Sequence, residues 1–414
     1  MTEQRARSLS APAQAARAVL AVLVVLAGLV APQVGVLPAA ATPPGGDALR
    51  ADLRADLETY LRDRGAAEHV SAVGLTVSLP GGPRVDVAAG TTTVDGDEPV
   101  PEDGLWQIGS NTKAFTSVLL LQLEAEGRLS IDDPLGAFLP EYPEWADVPI
   151  RRLLNMTSGI PDYDERPAFW TDYLADPMRY FSAEQLVGYA VGAPATSGYR
   201  YSNTNYVLAE MVVERVTGES YEDELYERLL DPLDLDDLHY RPHLYPPGLA
   251  ERQPAGYFAR DDIPELAPLL GRDVSRDTLS WGRGAGGMIG TTGDLTRWER
   301  ALYSGRLLPA EQQAELTSLV STATGEPIAS TSPADPSGFG LGVVQLTAEG
   351  FGTFWMYEGG TLGFRTLHIF LPESGLIMAV GLNSASVEDQ IAVLAVAVHD
   401  TLVEHGLVAA PAAA

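Results

Sequence analysis

The chain has 414 residues, no cysteine, and 56 acidic against 27 basic side chains, for a net charge of −29. That acidity disfavours nucleic acid and anionic membrane surfaces as partners, and it suits solubility outside the cell. Without cysteine no disulfide can form, so a domain of this size relies on its core.

Arg5, Arg7 and Arg17 precede an apolar run from Ala18 to Ala31, then Pro32 and a small-residue stretch ending Ala39-Ala40-Ala41. This is the pattern of a secretory signal, and residues 1–41 are read as a cleaved signal peptide. The rival is a retained membrane anchor, but the run is short of the ~20 residues needed to span a bilayer. Cleavage would leave 24 basic and 55 acidic residues, a net charge of −31.

Residues 42–47 read as a linker. Asp47 to Arg64 reads as an amphipathic helix with Leu49, Leu53, Leu57, Tyr60 and Leu61 on one face. Val70–Leu79 and Arg84–Ala89, around Pro80-Gly81-Gly82-Pro83, read as a β-hairpin. Residues from about 148 to 316 read as helices and irregular loops, with helices at Tyr206–Val216 and Thr292–Tyr303. Strand patterns return at Gly340–Leu346, Phe351–Tyr357, Thr366–Leu371 and Leu376–Leu382, and Val387–Glu404 closes with a helix. The expectation is an α/β (α+β) fold: an antiparallel sheet flanked by terminal helices, with an inserted, mostly helical lobe. One domain is expected over residues 48–405, with 406–414 as a tail.

Lys113 is the chain's single lysine; the other 26 basic residues are arginine. It follows Ser110 by three residues in Gly109-Ser110-Asn111-Thr112-Lys113. Arginine cannot serve as a base, because its pKa exceeds ~12, whereas a buried lysine can be driven neutral. The segment after Ser110 is apolar nearly all round, so a buried helix is expected with Ser110 at its N-terminus. Lys113 then lies one turn on, on the same face, and the free N–H groups favour a developing oxyanion. Taken alone, Ser110 could equally be an N-cap.

A second cluster, Tyr199 to Tyr206, precedes another apolar helix. Tyr201 near a lysine can have its pKa lowered and relay protons, and Asn203 can present its amide to the same cleft. The plain alternative is a loop with Asn203 capping the helix. A third, Met356-Tyr357-Glu358-Gly359-Gly360-Thr361, is a glycine-rich strand where Gly360 N–H could join Ser110 N–H in an oxyanion hole. A bulge in an edge strand would look the same.

Ser110-Asn111-Thr112-Lys113, then Tyr201-Ser202-Asn203, then the glycine-rich strand, in this order, resembles the serine β-lactamase and penicillin-binding protein superfamily. The branch it looks like comprises class C β-lactamases, D-alanyl-D-alanine carboxypeptidases and related esterases. Residues 150–160, 285–288 and 338–342 agree with it. The resemblance implies a β-lactamase/transpeptidase-like fold. It implies Ser110 as acylated nucleophile, Lys113 as base, Tyr201 as proton relay and Asn203 as a ligand for the substrate amide. Tyr357, Glu358, Gly359 and Gly360 would form the substrate-binding strand.

The third motif departs from the family. Where Lys or His, then Thr or Ser, then Gly is usual, this chain has Tyr357, Glu358 and Gly359. A substrate carboxylate would meet Glu358 without an adjacent cation, unless Arg365 compensates. The six histidines lack metal-ligand spacing, so no metal is expected, and no cofactor. The expectation is an exported serine acyl hydrolase acting on a small-molecule or peptide substrate, cell-wall peptide among the candidates. It would be carboxypeptidase-like or β-lactamase-like on amides of D-amino acids. An esterase of the same family, or a penicillin- or peptide-binding protein without turnover, are the alternatives.

Overall fold

The computed structural model describes residues 46–81, 83–240 and 243–409. The expected signal segment and its cleavage site lie outside the described residues. Helix α1 (Gly46–Glu68) is followed by strands β1 (Ala72–Ser78) and β2 (Arg84–Gly90), and α2 is Thr112–Ala125. Helices α3 (Asn203–Thr217) and α4 (Thr292–Tyr303) come next. Strands β3 (Leu319–Ser321), β4 (Pro327–Ile328), β5 (Ser337–Phe339), β6 (Val344–Ala348), β7 (Gly352–Gly360), β8 (Arg365–Leu371) and β9 (Leu376–Leu382) precede α5 (Ile391–Glu404).

The nine strands form one antiparallel sheet in the order β2-β1-β9-β8-β7-β6-β5-β3-β4. The first hairpin therefore inserts beside the last strand, with Val73 opposite Leu382. Strand β9, Leu376–Leu382, is buried along its whole length, as a central strand covered on both faces must be. Helices α1 and α5 pack together, with α1 against β1 and β2. Leu49, Leu53 and Leu57, spaced by one turn, supply the buried stripe of α1.

The helical lobe expected over about 148–316 needs one correction. Helix α4 packs on β1, β8 and β9 and so belongs to the sheet layer. Leu295, Trp298 and Leu302, at i, i+3 and i+7, give it a fully buried face that only a broad apolar surface can cover. Short strands at Leu238–Tyr240, Tyr257–Ala259 and Met288–Gly290 also interrupt this region. Phe115 of α2 stacks on Trp298 of α4 with ring centroids 3.7 Å apart, which ties the central helix to the sheet.

Candidate active site

Ser110 sits in a single 3-10 turn, Gly109–Asn111, that leads directly into α2. Its N–H is at the start of the helical stretch and has no intrahelical acceptor. Gly109 has φ +50°, and a Cβ there would come 2.8 Å from Gly360 O, so only glycine fits. A Cβ on Gly359 would meet Ser110 N at 2.8 Å. The end of β7 therefore lies directly against the serine turn. Asn111 fastens this junction: its Nδ2 donates to Ile108 O at 2.8 Å and to Thr366 O of β8 at 3.0 Å.

Lys113 Nζ lies 3.0 Å from Ser110 Oγ, 2.8 Å from Asn203 Oδ1 and 2.6 Å from Ala285 O. The side chain is 0% exposed. Burial pushes the ammonium down to about 7, against the opposing pull of Asp162 and Asp164. A neutral amine here donates its two protons to Asn203 Oδ1 and Ala285 O and accepts from the Ser110 hydroxyl.

Tyr201 OH donates to Ser110 Oγ at 2.7 Å, so the serine oxygen is held between a phenol and an amine. The lowered Tyr201 pKa expected from the sequence is overturned. Burial raises the phenol well above its usual value, and hydrogen bonds with Ser110 and Tyr357 only partly offset this. Tyr201 is 6% exposed, and the nearest cation, Lys113, is itself only partly charged at neutral pH. Lys113 is thus the better base, and Tyr201 carries a proton in its neutral form.

Asn203 opens α3, and its backbone N–H donates to Asp162 Oδ2 at 2.9 Å. Its Nδ2 donates to Asp164 Oδ2 at 3.1 Å and more weakly to Asp162 Oδ2 at 3.4 Å. Both carboxyls are raised, chiefly by burial: Asp162 well above its usual value and Asp164 to about 6. Neither was singled out from the sequence. The available signal was an acidic run, Asp162-Tyr163-Asp164-Glu165, directly after the 150–160 stretch.

The third motif is rearranged relative to expectation. Tyr357 is 3% exposed and does not line the cleft; its OH lies 3.3 Å from Tyr201 OH. Strand alternation sends its neighbour Glu358 to the other face of the sheet, and Glu358 does line the cleft. Burial first, then the adjacent Asp389, pushes the Glu358 carboxyl well above its usual range, so it donates a hydrogen bond to Asp389. Burial would raise Asp389 too, but Arg365, the Glu358 proton and the Ile391 N–H together pull it down.

Arg365 is not a free cation for a substrate anion. It is 3% exposed, with Nη1 at 2.9 Å from Glu68 and 2.5 Å from Asp389, and Nε donating to Ser384 O at 2.7 Å. Two carboxylates already balance its charge, and its Nη2 is shielded and without a hydrogen bond. These groups surround one cavity of about 310 Å³ that contains Ser110, Tyr201, Asn203, Asp164, Glu358 and Gly360 in its wall. Trp170, Trp281, Phe258 and Leu266 give part of it an apolar lining. Among the described residues no group of three or more His, Cys, Asp or Glu is placed to hold a metal ion.

Three comparisons place this geometry among known proteins. The chain is 27% identical over 280 residues to "Penicillin-binding protein 4*" of Bacillus subtilis, covering 66% of this chain and 59% of that one. It spans between 48% and 59% of the length of the first three curated relatives. Among solved structures it resembles a D-stereospecific amidohydrolase from Streptomyces sp., with a TM-score of 0.70 at 29% identity, covering 85% of this chain and 98% of that one. The D-amino acid amidase from Ochrobactrum anthropi SV3 gives a TM-score of 0.69 at 25% identity, with 86% and 98% covered. The Beta-lactamase family model matches residues 57–401, nearly the whole described sheet and helices, and the chain belongs to that family within the serine β-lactamase and penicillin-binding protein superfamily.

Proposed function

We propose that this protein is a serine acyl hydrolase that cleaves amides of D-amino acids through a Ser110 acyl-enzyme. The observation that carries the reading is the position of Ser110 Oγ, 3.0 Å from a buried lysine amine and 2.7 Å from a tyrosine hydroxyl. In the first step Ser110 Oγ bonds to the substrate carbonyl carbon as its proton passes to the neutral Lys113 amine. Ser110 N–H, with Gly360 N–H beside it, stabilises the oxyanion. The leaving amine departs with a proton supplied through Tyr201, which is replenished from Lys113. Water then attacks the ester, gives its proton back to the same pair, and releases the acid and the free serine.

The choice of amides over peptides with a free carboxylate rests on the cleft wall. Tyr357 and Glu358 stand where the family usually carries a cation and a hydroxyl, Asp389 lies beside Glu358 in the cleft wall, and Arg365 is already paired. The resemblance to a D-stereospecific amidohydrolase and a D-amino acid amidase favours the same substrate class. Export is part of the proposal and rests on residues 1–41 and the chain's acidity.

Turnover of D-phenylalaninamide, its L-isomer and p-nitrophenyl acetate, beside labelling by a fluorescent penicillin, tests the reading. Catalytic release of ammonia from the D-amide, lost in Ser110→Ala, is expected. Turnover of the ester alone would make the protein an esterase. Stoichiometric penicillin labelling without turnover of any substrate would make it a binding protein.

A further inference from the structure

We infer that Asp164 forms a binding subsite for a free, protonated α-amine on the acyl side of the substrate. The protein would then act on unblocked D-amino acid amides and exclude N-acylated ones. This rests on the reading of the cleft as a D-amide hydrolase, and names the group that must flank the scissile carbonyl.

The argument starts from Asn203, the residue expected to donate its amide to the substrate. Its two polar atoms are already engaged: Oδ1 accepts from Lys113 Nζ at 2.8 Å, and Nδ2 donates to Asp164 Oδ2 at 3.1 Å. A substrate acylamino carbonyl arriving beside Asn203 meets a carboxylate where it needs a donor. An ammonium group in the same place meets an acceptor. The second Asp164 oxygen, Oδ1, is shielded from solvent and accepts no N–H or hydroxyl; the other contact of this carboxyl is with the Asp162 carboxyl beside it. Asp164 lines the same cavity as Ser110, and the α-nitrogen of an amino acid amide is only one carbon from the carbonyl that Ser110 attacks.

The charge states fit. Asp164, raised to about 6, is largely ionised at neutral pH, and burial with the adjacent Asp164 charge pushes Asp162 well above its usual range. An α-amine with pKa near ~7.7–8.0 is still largely protonated there. Lys113, lowered to about 7, carries only part of a positive charge at neutral pH, and its Nζ is hydrogen-bonded to Ser110, Asn203 and Ala285 and not to Asp164. Neutral donors such as Asn203 Nδ2 leave the charge of that carboxylate unbalanced, so a ligand ammonium is selected over a group that brings no positive charge.

The test compares D-phenylalaninamide with N-acetyl-D-phenylalaninamide at pH 7, in wild type and in Asp164→Asn. Wild type is expected to prefer the free amine by tenfold or more in kcat/KM. In the variant KM for the free amine should rise at least tenfold relative to that for the N-acetyl substrate, so the preference collapses. Asp164 also acts on Lys113, and a role confined to that would change the rates on both substrates by the same factor; this outcome overturns the inference. Equal cleavage of the two amides by wild type overturns it as well, while leaving the D-amide reading intact. If wild type cleaves neither amide although p-nitrophenyl acetate acylates Ser110, the D-amide reading itself falls and the inference falls with it.

Discussion

The Tyr357 hydroxyl lies 3.3 Å from the Tyr201 hydroxyl, and Tyr201 in turn donates to Ser110 Oγ at 2.7 Å. A donor behind Tyr201 orients its proton toward the serine and stabilises charge that builds on the phenol oxygen as that proton leaves. Tyr357 is therefore a positioning residue, where the motif pattern suggested a substrate contact.

Tyr357→Phe keeps the packing and removes one neutral hydrogen bond, worth about 1 kcal/mol, or roughly a fivefold change in rate. The expected result is a fall in kcat of that order with KM nearly unchanged, since Tyr357 does not itself line the cleft and reaches it only through Tyr201. Steady-state kinetics on a D-amide decide it. A rise in KM at constant kcat would place Tyr357 back among substrate contacts.

Lys113 gives a sharper test. Arginine keeps the charge but not the ability to lose it, so Lys113→Arg should lower acylation by several orders of magnitude. The base acts in its neutral form, and its pKa is lowered to about 7. In wild type kcat/KM should therefore rise with pH through about 7 and fall tenfold per unit below it. Stopped-flow acylation by an activated ester between pH 5 and 9 would show this. A rate independent of pH in that window would mean that Lys113 stays charged and some other group takes the proton.

How much of this was legible beforehand follows a physical division. Ser110 and Lys113 are three residues apart on one helix, so local geometry alone brings them together, and a lone lysine among arginines marks the pair. Tyr201 and Asn203 were legible only through motif order, because their distance to Ser110 is set by how α2 and α3 pack. Asp162 and Asp164 carried only a weak local signal, the acidic run Asp162-Tyr163-Asp164-Glu165, in a chain with 56 acidic residues. Their burial, which gives them their chemistry, is a property of the tertiary structure. Tyr357 was placed by its position in a motif, although the period of two along a strand already separates it from Glu358. The strands were read well because central ones are continuously apolar, whereas α4 was assigned to the wrong layer because its amphipathic pattern does not say which surface it covers.

Behind the serine turn, His368 Nδ1 is 2.8 Å from Asn111 Oδ1, and Tyr303 OH is 3.3 Å from His368 Nε2. Since the Asn111 Oδ1 is an acceptor, the Nδ1 nitrogen carries the proton. Burial lowers this imidazole to about 3, so it stays neutral in the folded protein. The unfolded chain would protonate it near ~6.5, and between those values the unfolded state binds more protons. This contribution to stability is therefore complete above about 6.5 and declines as pH falls toward 3. His368→Ala leaves Asn111 without its donor and should cost about 1–3 kcal/mol, from the unpaired group alone. Urea unfolding at pH 5 and 8 should show wild type losing stability at the lower pH through this group, and the variant losing less. An equal loss in both proteins would remove His368 from the account.

Glu358 decides what the cleft tolerates at its acidic end. As a neutral acid donating to Asp389 it behaves like a carboxamide, so Glu358→Gln should retain near wild-type activity on a neutral D-amide. Glu358→Thr shortens the side chain, drops the proton donor to Asp389, and places a hydroxyl where a substrate carboxylate would sit. As a neutral acid Glu358 does not itself repel an anion; the repelling charge is that of Asp389 beside it, and a carboxylate within about 4 Å of a bound anion costs around 4 kcal/mol at an effective dielectric near 20, before solvent and counter-charges reduce it. Even a third of that is about tenfold in affinity. The relevant quantity is the ratio of kcat/KM for a D-alanyl-D-alanine peptide to that for its C-terminal amide, because effects on folding cancel in the ratio. Wild type should favour the amide, Glu358→Gln should change the ratio little, and Glu358→Thr should move it several-fold toward the free carboxylate. Asp389 limits the gain, since it remains beside Arg365 at 2.5 Å and keeps that guanidinium occupied. Wild type that already prefers the free carboxylate would show that the unpartnered Nη2 of Arg365 reaches the substrate anion after all, and the carboxypeptidase reading would replace the amidase one.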